Sequence, residues 1–214
     1  MRLEIENIVI DKKQVLNFLG YANRKIPPII ERKIDEELEA VHSLLQPIAY
    51  IKKFPITQIK AGTTYFGEEY GLSSEYLAKE LEKAASIYLA VYTIGDKIEE
   101  KIKNYSSSNE MIRGMILDKI GVVALDYVKG QIKEVISKEV IPYKICTQLF
   151  PGTNDFQISN QKIILDTFKE ENKSISISKH YQLSPIKTVA VVFGIGEIED
   201  KQTMCARCGN RCFS

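Results

Sequence analysis

Gln148-Leu-Phe-Pro-Gly-Thr-Asn-Asp155 is the stretch on which the reading of this chain turns. An apolar segment, residues 140–150, enters a Pro-Gly pair followed by polar turn residues. Glycine after proline supplies the positive φ of a tight turn. Taken alone, the residues describe a strand, a turn and then a short helix over 159–169, carrying Ile163, Ile164, Leu165 and Phe168. A second strongly apolar strand follows over 187–194.

Upstream, residues 109–138 read as the longest helix, with Ile112, Ile116, Ile120, Val123, Ala124, Tyr127 and Ile132 at helical spacing. Gly114, Gly121 and Gly130 each lower its intrinsic stability by roughly 1 kcal/mol relative to alanine. Residues 87–94 are almost continuously apolar, as in a strand covered on both faces. Gly95-Asp96 ends that run, and Asp96 with Glu99 makes a capping-box pattern. The helix it opens places Ile98, Ile102 and Tyr105 on one side.

The N-terminal third begins with a short edge strand within 3–10. Asp11 and Gln14 form a capping-box pattern for a helix bearing Val15, Phe18 and Leu19, which Gly20 ends. Pro27 and Pro28 suit only a first helical turn. After them Ile30, Ile34, Leu38, Val41 and Leu45 mark an amphipathic helix that stops before Pro47. Residues 48–59, with Pro55 inside, read as two short strands or as one edge strand with a break. Residues 62–71, with three glycines, read as a loop that Tyr65 and Tyr70 flank. Ser73 or Ser74 caps a helix bearing Leu77, Leu81 and Ala84. Strands and helices do not alternate strictly, which favours α+β over a doubly wound sheet.

A chain of 214 residues buries about 70% of its unfolded surface and needs no disulfide for a core. The net charge of +1 argues against a nucleic-acid binder and against an anionic membrane surface. No stretch reaches the roughly 20 apolar residues of a membrane span, and the first residues have no apolar signal core. A cytoplasmic location is expected. Gly194-Ile-Gly196 lacks the third glycine of a dinucleotide fingerprint. His42 falls at the polar margin of its helix.

Three of the four cysteines form Cys205-x-x-Cys208-x-x-x-Cys212 near the C-terminus. In a reducing compartment they read as metal ligands or redox thiols. Cys-x-x-Cys is a soft chelate, and both zinc and an iron-sulfur cluster accept it. Cys146 is the first candidate for a fourth ligand and His180 the second. Arg207 and Arg211 favour thiolates, or are solvated charges. A reduced, ligand-free tail is the plainer alternative.

The series of segments resembles the vitamin B12-dependent methionine synthase activation family. Val15-Leu-Asn-Phe-Leu-Gly-Tyr21 is similar to the opening helix of free-standing members, and Tyr92-Thr-Ile-Gly95 with Leu117–Asp126 to the central strand end and long helix. Gln148-Leu-Phe-Pro151-Gly152-Thr153 occupies the place of the family's Arg-x-x-Pro-Gly-Tyr turn. Residues 178–189, with Pro185, loosely match a later Thr-x-Ser-x-x-Met-x-Pro pattern. The resemblance implies a mixed, mainly antiparallel twisted sheet with flanking helices. It divides the chain into an N-terminal part, 1–60, of the same domain, an activation core, 61–200, and a cysteine-rich tail, 201–214.

The resemblance also implies a job: binding S-adenosylmethionine and supporting reductive methylation of a cobalamin that the corrinoid domain of a methyltransferase presents. The electron would come from a flavodoxin- or ferredoxin-like donor, and an iron-sulfur tail would suit such a role. Ligand contacts fall on Gln148, Phe150, Pro151, Gly152 and Thr153, with Glu134 facing the amino group. No acid–base residue is implied. The sequence departs from the pattern at two points. Gln148 stands where the family's arginine pairs with the ligand carboxylate, a loss on the order of 2–4 kcal/mol. Thr153 replaces the tyrosine. An adaptor that keeps the fold without S-adenosylmethionine, serving another corrinoid methyltransferase, is the alternative.

Overall fold

A computed structural model describes residues 1–198 of the chain. In chain order the elements are β1 (Arg2–Glu4), α1 (Lys12–Phe18), α2 (Pro28–Ala40), β2 (Ile48–Lys60), β3 (Thr63–Phe66), β4 (Tyr70–Ser73), α3 (Glu75–Glu80) and β5 (Ser86–Thr93). There follow α4 (Lys97–Ser107), α5 (Met111–Glu139), β6 (Lys144–Leu149), α6 (Asn160–Asp166), β7 (Ser176–Ile177), β8 (Leu183–Ser184) and β9 (Thr188–Gly196).

The fold is α+β. A seven-stranded sheet runs β4-β3-β2-β5-β9-β6, with β1 added on β2, and β7–β8 form a separate ribbon. Every pairing among the described strands is antiparallel. Alternation along the central strands sends side chains to two cores. Tyr88, Ala90 and Tyr92 of β5, with Val191, Phe193 and Ile195 of β9, meet α1, α2, α4 and α5. Ile87, Leu89 and Val91, with Ala190 and Val192, meet α3 and α6 on the other face. The near-continuous apolar runs of β5 and β9 follow from this double cover. No described helix is long and apolar enough to cross a membrane.

Several local expectations change. The first strand is only Arg2–Glu4, held on Ile48–Tyr50 of β2. Residues 48–60 form one continuous 13-residue strand. Its first half pairs with β5 and its second with β3, and Pro55 falls at the last β5 rung. The expected glycine loop is the β3–β4 hairpin, because Phe66 and Leu72 are fully buried and anchor it as a sheet edge. The capping box at Asp96 does not close. Asp96 makes no side-chain cap bond, and Glu99 accepts instead from the Lys187 backbone N–H at 2.9 Å. β6 starts later than expected, at Lys144, after a turn with a cis Ile141–Pro142 peptide. Ser74, not Ser73, caps α3: its Oγ accepts from the Leu77 N–H at 3.0 Å.

The N-terminal end of α5 and the C-terminal end of α2 are joined through a buried carboxylate. The Glu37 side chain is 2% exposed. It accepts from Arg113 Nη1 at 2.5 Å and from the Tyr105 hydroxyl at 2.7 Å. Arg113 also pairs with Glu36.

Candidate functional site

The site is built where β6 leaves the sheet. β6 carries a bulge: Ile145 pairs with Ile195 but Thr147 pairs with Gly194, so two steps on β6 oppose one on β9. Gly194 makes the bulge feasible. A Cβ there would lie 2.7 Å from Thr147 Cγ2, 2.8 Å from Leu81 Cδ2 and 3.2 Å from Cys146 Sγ. The slip puts Gln148 opposite Phe193 rather than Val192, and Phe193 belongs to the α5-side core. Gln148, Phe193, Tyr88 and Lys53 therefore form one row across β6, β9, β5 and β2. The Tyr88 hydroxyl is buried, and burial pushes its pKa up, so it stays a neutral phenol.

After Leu149 the chain turns sharply. Gly152 adopts φ +97° and its N–H donates to the Phe156 carbonyl at 2.6 Å. The Thr153 N–H donates to Phe150, and that of Phe156 to Thr153. Phe156 is fully buried in the α3/α6-side core, whereas Phe150 packs against the α5-side core. The turn is thus pinned on both faces of the sheet. Its crest stays open: Gly152 and Asn154 are exposed, Pro151 and Thr153 half-buried. Asp155 ties the turn to the start of α3. Its carboxylate accepts from Ser74 Oγ at 2.6 Å and from the N–H groups of Glu75 at 2.8 Å and Tyr76 at 3.2 Å. These bonds, chiefly that from Ser74, hold its pKa below the usual aspartate value.

Between the C-terminal end of α5 and β6 lies a cleft of about 290 Å³. Lys133 and Ser137, one helical turn apart, line one wall; residues 141–145 and Gln148 line the rest. No lining residue is acidic, and Lys133 makes no hydrogen bond or ion pair with any described residue. A wider hollow of about 590 Å³ lies on the α3 side of the turn, bounded by Gly62, Ser74, Asp155 and Asn160.

Of the residues singled out from sequence, Gln148 lines the first cleft, and Phe150, Pro151, Gly152 and Thr153 form the adjoining turn. Glu134 is exposed and pairs with Lys138 at 2.7 Å; this hydrogen bond lowers its pKa. It does not line the cleft, whereas its neighbour Lys133 does. In the sequence the Lys-Glu run at 133–139 reads as a solvated helix face, and the only signal for Lys133 and Ser137 as cleft residues is their spacing of four. Cys146 is half-buried at the bulge, with Gly194 and Gly196 beside its Sγ. Cys205, Cys208 and Cys212 lie outside the described residues. Among the described residues no group of three or more His, Cys, Asp or Glu is placed to hold a metal.

The architecture is thus an α+β domain in which an antiparallel sheet lies between two helical layers and a long helix closes a cleft on its edge strand. Thirteen chains of known structure match this one. They include the MetH reactivation domain crystallised with AdoHcy bound, which superimposes with a TM-score of 0.66 over 95% of this chain and 80% of its own, at 10% sequence identity. No protein-family model matches the sequence, and no curated protein does.

Proposed function

We propose that this chain is an activation protein for a cobalamin-dependent methyltransferase, methionine synthase in the first instance. It binds S-adenosylmethionine beside the turn at residues 148–153 and offers its methyl group to a corrinoid held by the partner. The observation that carries the reading is the likeness to the MetH reactivation domain with AdoHcy bound, spanning nearly the whole chain. The residues at hand fit such a ligand. The turn has an exposed glycine that a nucleoside can approach, and the neighbouring cleft has hydrogen-bond donors and apolar walls.

The corrinoid supplies a nucleophilic cobalt, and the ligand's sulfonium methyl is the electrophile. What remains for this chain is to orient the ligand and to exclude water. Gly152 admits close approach of the ligand to the backbone, and Asp155 fixes the turn so that this surface is preformed. Gln148 hydrogen-bonds the amino-acid end of the ligand. The electron needed for reactivation comes from a flavodoxin- or ferredoxin-like donor. Cys205, Cys208 and Cys212 hold zinc or an iron-sulfur cluster. Cys146, beside Gly196 at the end of β9, is the fourth ligand in this reading.

Gln148 favours a second reading, an adaptor for another corrinoid methyltransferase that keeps the fold without the ligand. Calorimetric titration with S-adenosylmethionine, alone and with a corrinoid domain, separates the two. Saturable binding below about millimolar supports the first. Docking on the corrinoid domain with no binding of S-adenosylmethionine under either condition leaves the second.

A further inference from the structure

We infer that Lys133 supplies the positive charge that holds the carboxylate at the amino-acid end of the ligand, with Gln148 beside it as a neutral hydrogen-bonding partner. The inference rests on the proposed function and assigns the charge to the long helix rather than to the strand that enters the turn.

Three observations carry it. Lys133 and Gln148 line the same cleft from opposite walls, one on α5 and one on β6. The bulge in β6 is what brings Gln148 to that side, opposite Phe193. No carboxylate lines the cleft, and the Lys133 ammonium makes no ion pair with any described residue, so an anion binding at Lys133 displaces no existing partner. At about 290 Å³ the cleft is at the small end for a ligand pocket and suits the amino-acid end, not a whole nucleoside. Its charge points the same way: the Lys133 ammonium favours a carboxylate and disfavours the sulfonium, which stays outside, toward the turn. The last carbonyls of α5, at the negative end of a 29-residue helix, complement the ligand's ammonium group.

The experiment compares two neutral thioethers, S-adenosylhomocysteine and 5′-methylthioadenosine, which share the adenosyl sulfur but differ in the amino-acid end. Both are titrated calorimetrically into the wild type, Lys133→Met and Lys133→Arg. Lys133→Met is expected to weaken S-adenosylhomocysteine roughly ten- to thirtyfold, the scale of one charge-assisted bond at a half-exposed site. It leaves 5′-methylthioadenosine within about twofold, and Lys133→Arg retains most of the S-adenosylhomocysteine affinity. Lys133 is half-buried on a helix surface, and an unchanged melting temperature confirms the fold of each variant. Equal weakening of both ligands, or of neither, overturns the assignment while leaving the proposed function intact. Failure of the wild type to bind either ligand at millimolar concentration overturns the proposed function and this inference with it.

Discussion

Gly194→Ala is the substitution that tests the architecture of the site most directly. A methyl group at this position meets Thr147 Cγ2 at 2.7 Å and Leu81 Cδ2 at 2.8 Å, closer than carbon atoms tolerate. Neither side chain can swing into solvent: Thr147 is 1% exposed and Leu81 is fully buried. Cys146 Sγ, at 3.2 Å, closes the third direction. Overpacking of this kind costs about 1–3 kcal/mol. The central value of about 2 kcal/mol lowers the melting temperature of a chain this size by about 4–8 °C. Gly130→Ala is the internal control. It lies in the exposed middle of α5 with nothing within 4 Å of the added methyl, and helix propensity there makes alanine stabilising by about 0.5–1 kcal/mol. Urea denaturation followed by circular dichroism reads both variants on one scale. The clash also acts on the bulge, so Gly194→Ala is expected to weaken S-adenosylhomocysteine binding, whereas Gly130→Ala leaves it unchanged. A Gly194→Ala protein within about 0.5 kcal/mol of the wild type would refute the packing argument.

Asp155→Ala removes three hydrogen bonds that join the turn to α3 and, at this exposed position, costs about 0.5–1 kcal/mol at pH 7. The folded-state pKa is depressed, so the wild-type advantage is present above the ordinary aspartate value of about 4 and fades as pH falls through the folded value; denaturation midpoints at pH 7 and at about pH 3 check this. Arg113→Ala leaves the Glu37 carboxylate buried with only the Tyr105 hydroxyl and costs about 3 kcal/mol, of which Glu37→Gln in the same chain restores a part, as a double-mutant cycle shows. Gln148→Arg adds a cation facing Lys133 and tightens S-adenosylhomocysteine about five- to tenfold in calorimetry, with no gain for 5′-methylthioadenosine.

The elements with strong local signals were legible. The apolar run at 87–94 is β5, and the helical periodicity at 109–138 is α5 to within about two residues at either end. The helix is marked by a 3.6-residue period sustained over about thirty residues, and the strand by a short apolar run closed by Gly95-Asp96. What failed depended on partners distant in sequence. The β3–β4 hairpin was hidden because glycines at 62, 67 and 71 suggest a loop, and only the full burial of Phe66 and Leu72 in the α3/α6-side core makes it a sheet edge. The capping box at Asp96 failed because Glu99 found a better donor 88 residues away, the Lys187 N–H. Local chemistry proposed a bond, and tertiary structure used the same group elsewhere.

The candidate site shows the same division more sharply. The Pro-Gly turn could be read from six residues, because proline fixes its φ and glycine admits the positive φ that a tight turn needs. The cleft could not, because it depends on which way Gln148 faces. In a regular strand Ile145 and Leu149, four residues apart, share a face. Here they lie in opposite cores. One extra residue at Cys146 reverses the alternation, turning Gln148 from the α3/α6 side to the side of Lys133. Nothing in the local sequence of β6 encodes that slip. It is enabled from β9, by the missing side chain of Gly194. Arginine at position 148 would bring its own charge into the cleft along the same path. With glutamine there, the path remains and the charge has to come from the facing wall, where α5 presents Lys133 one turn before Ser137.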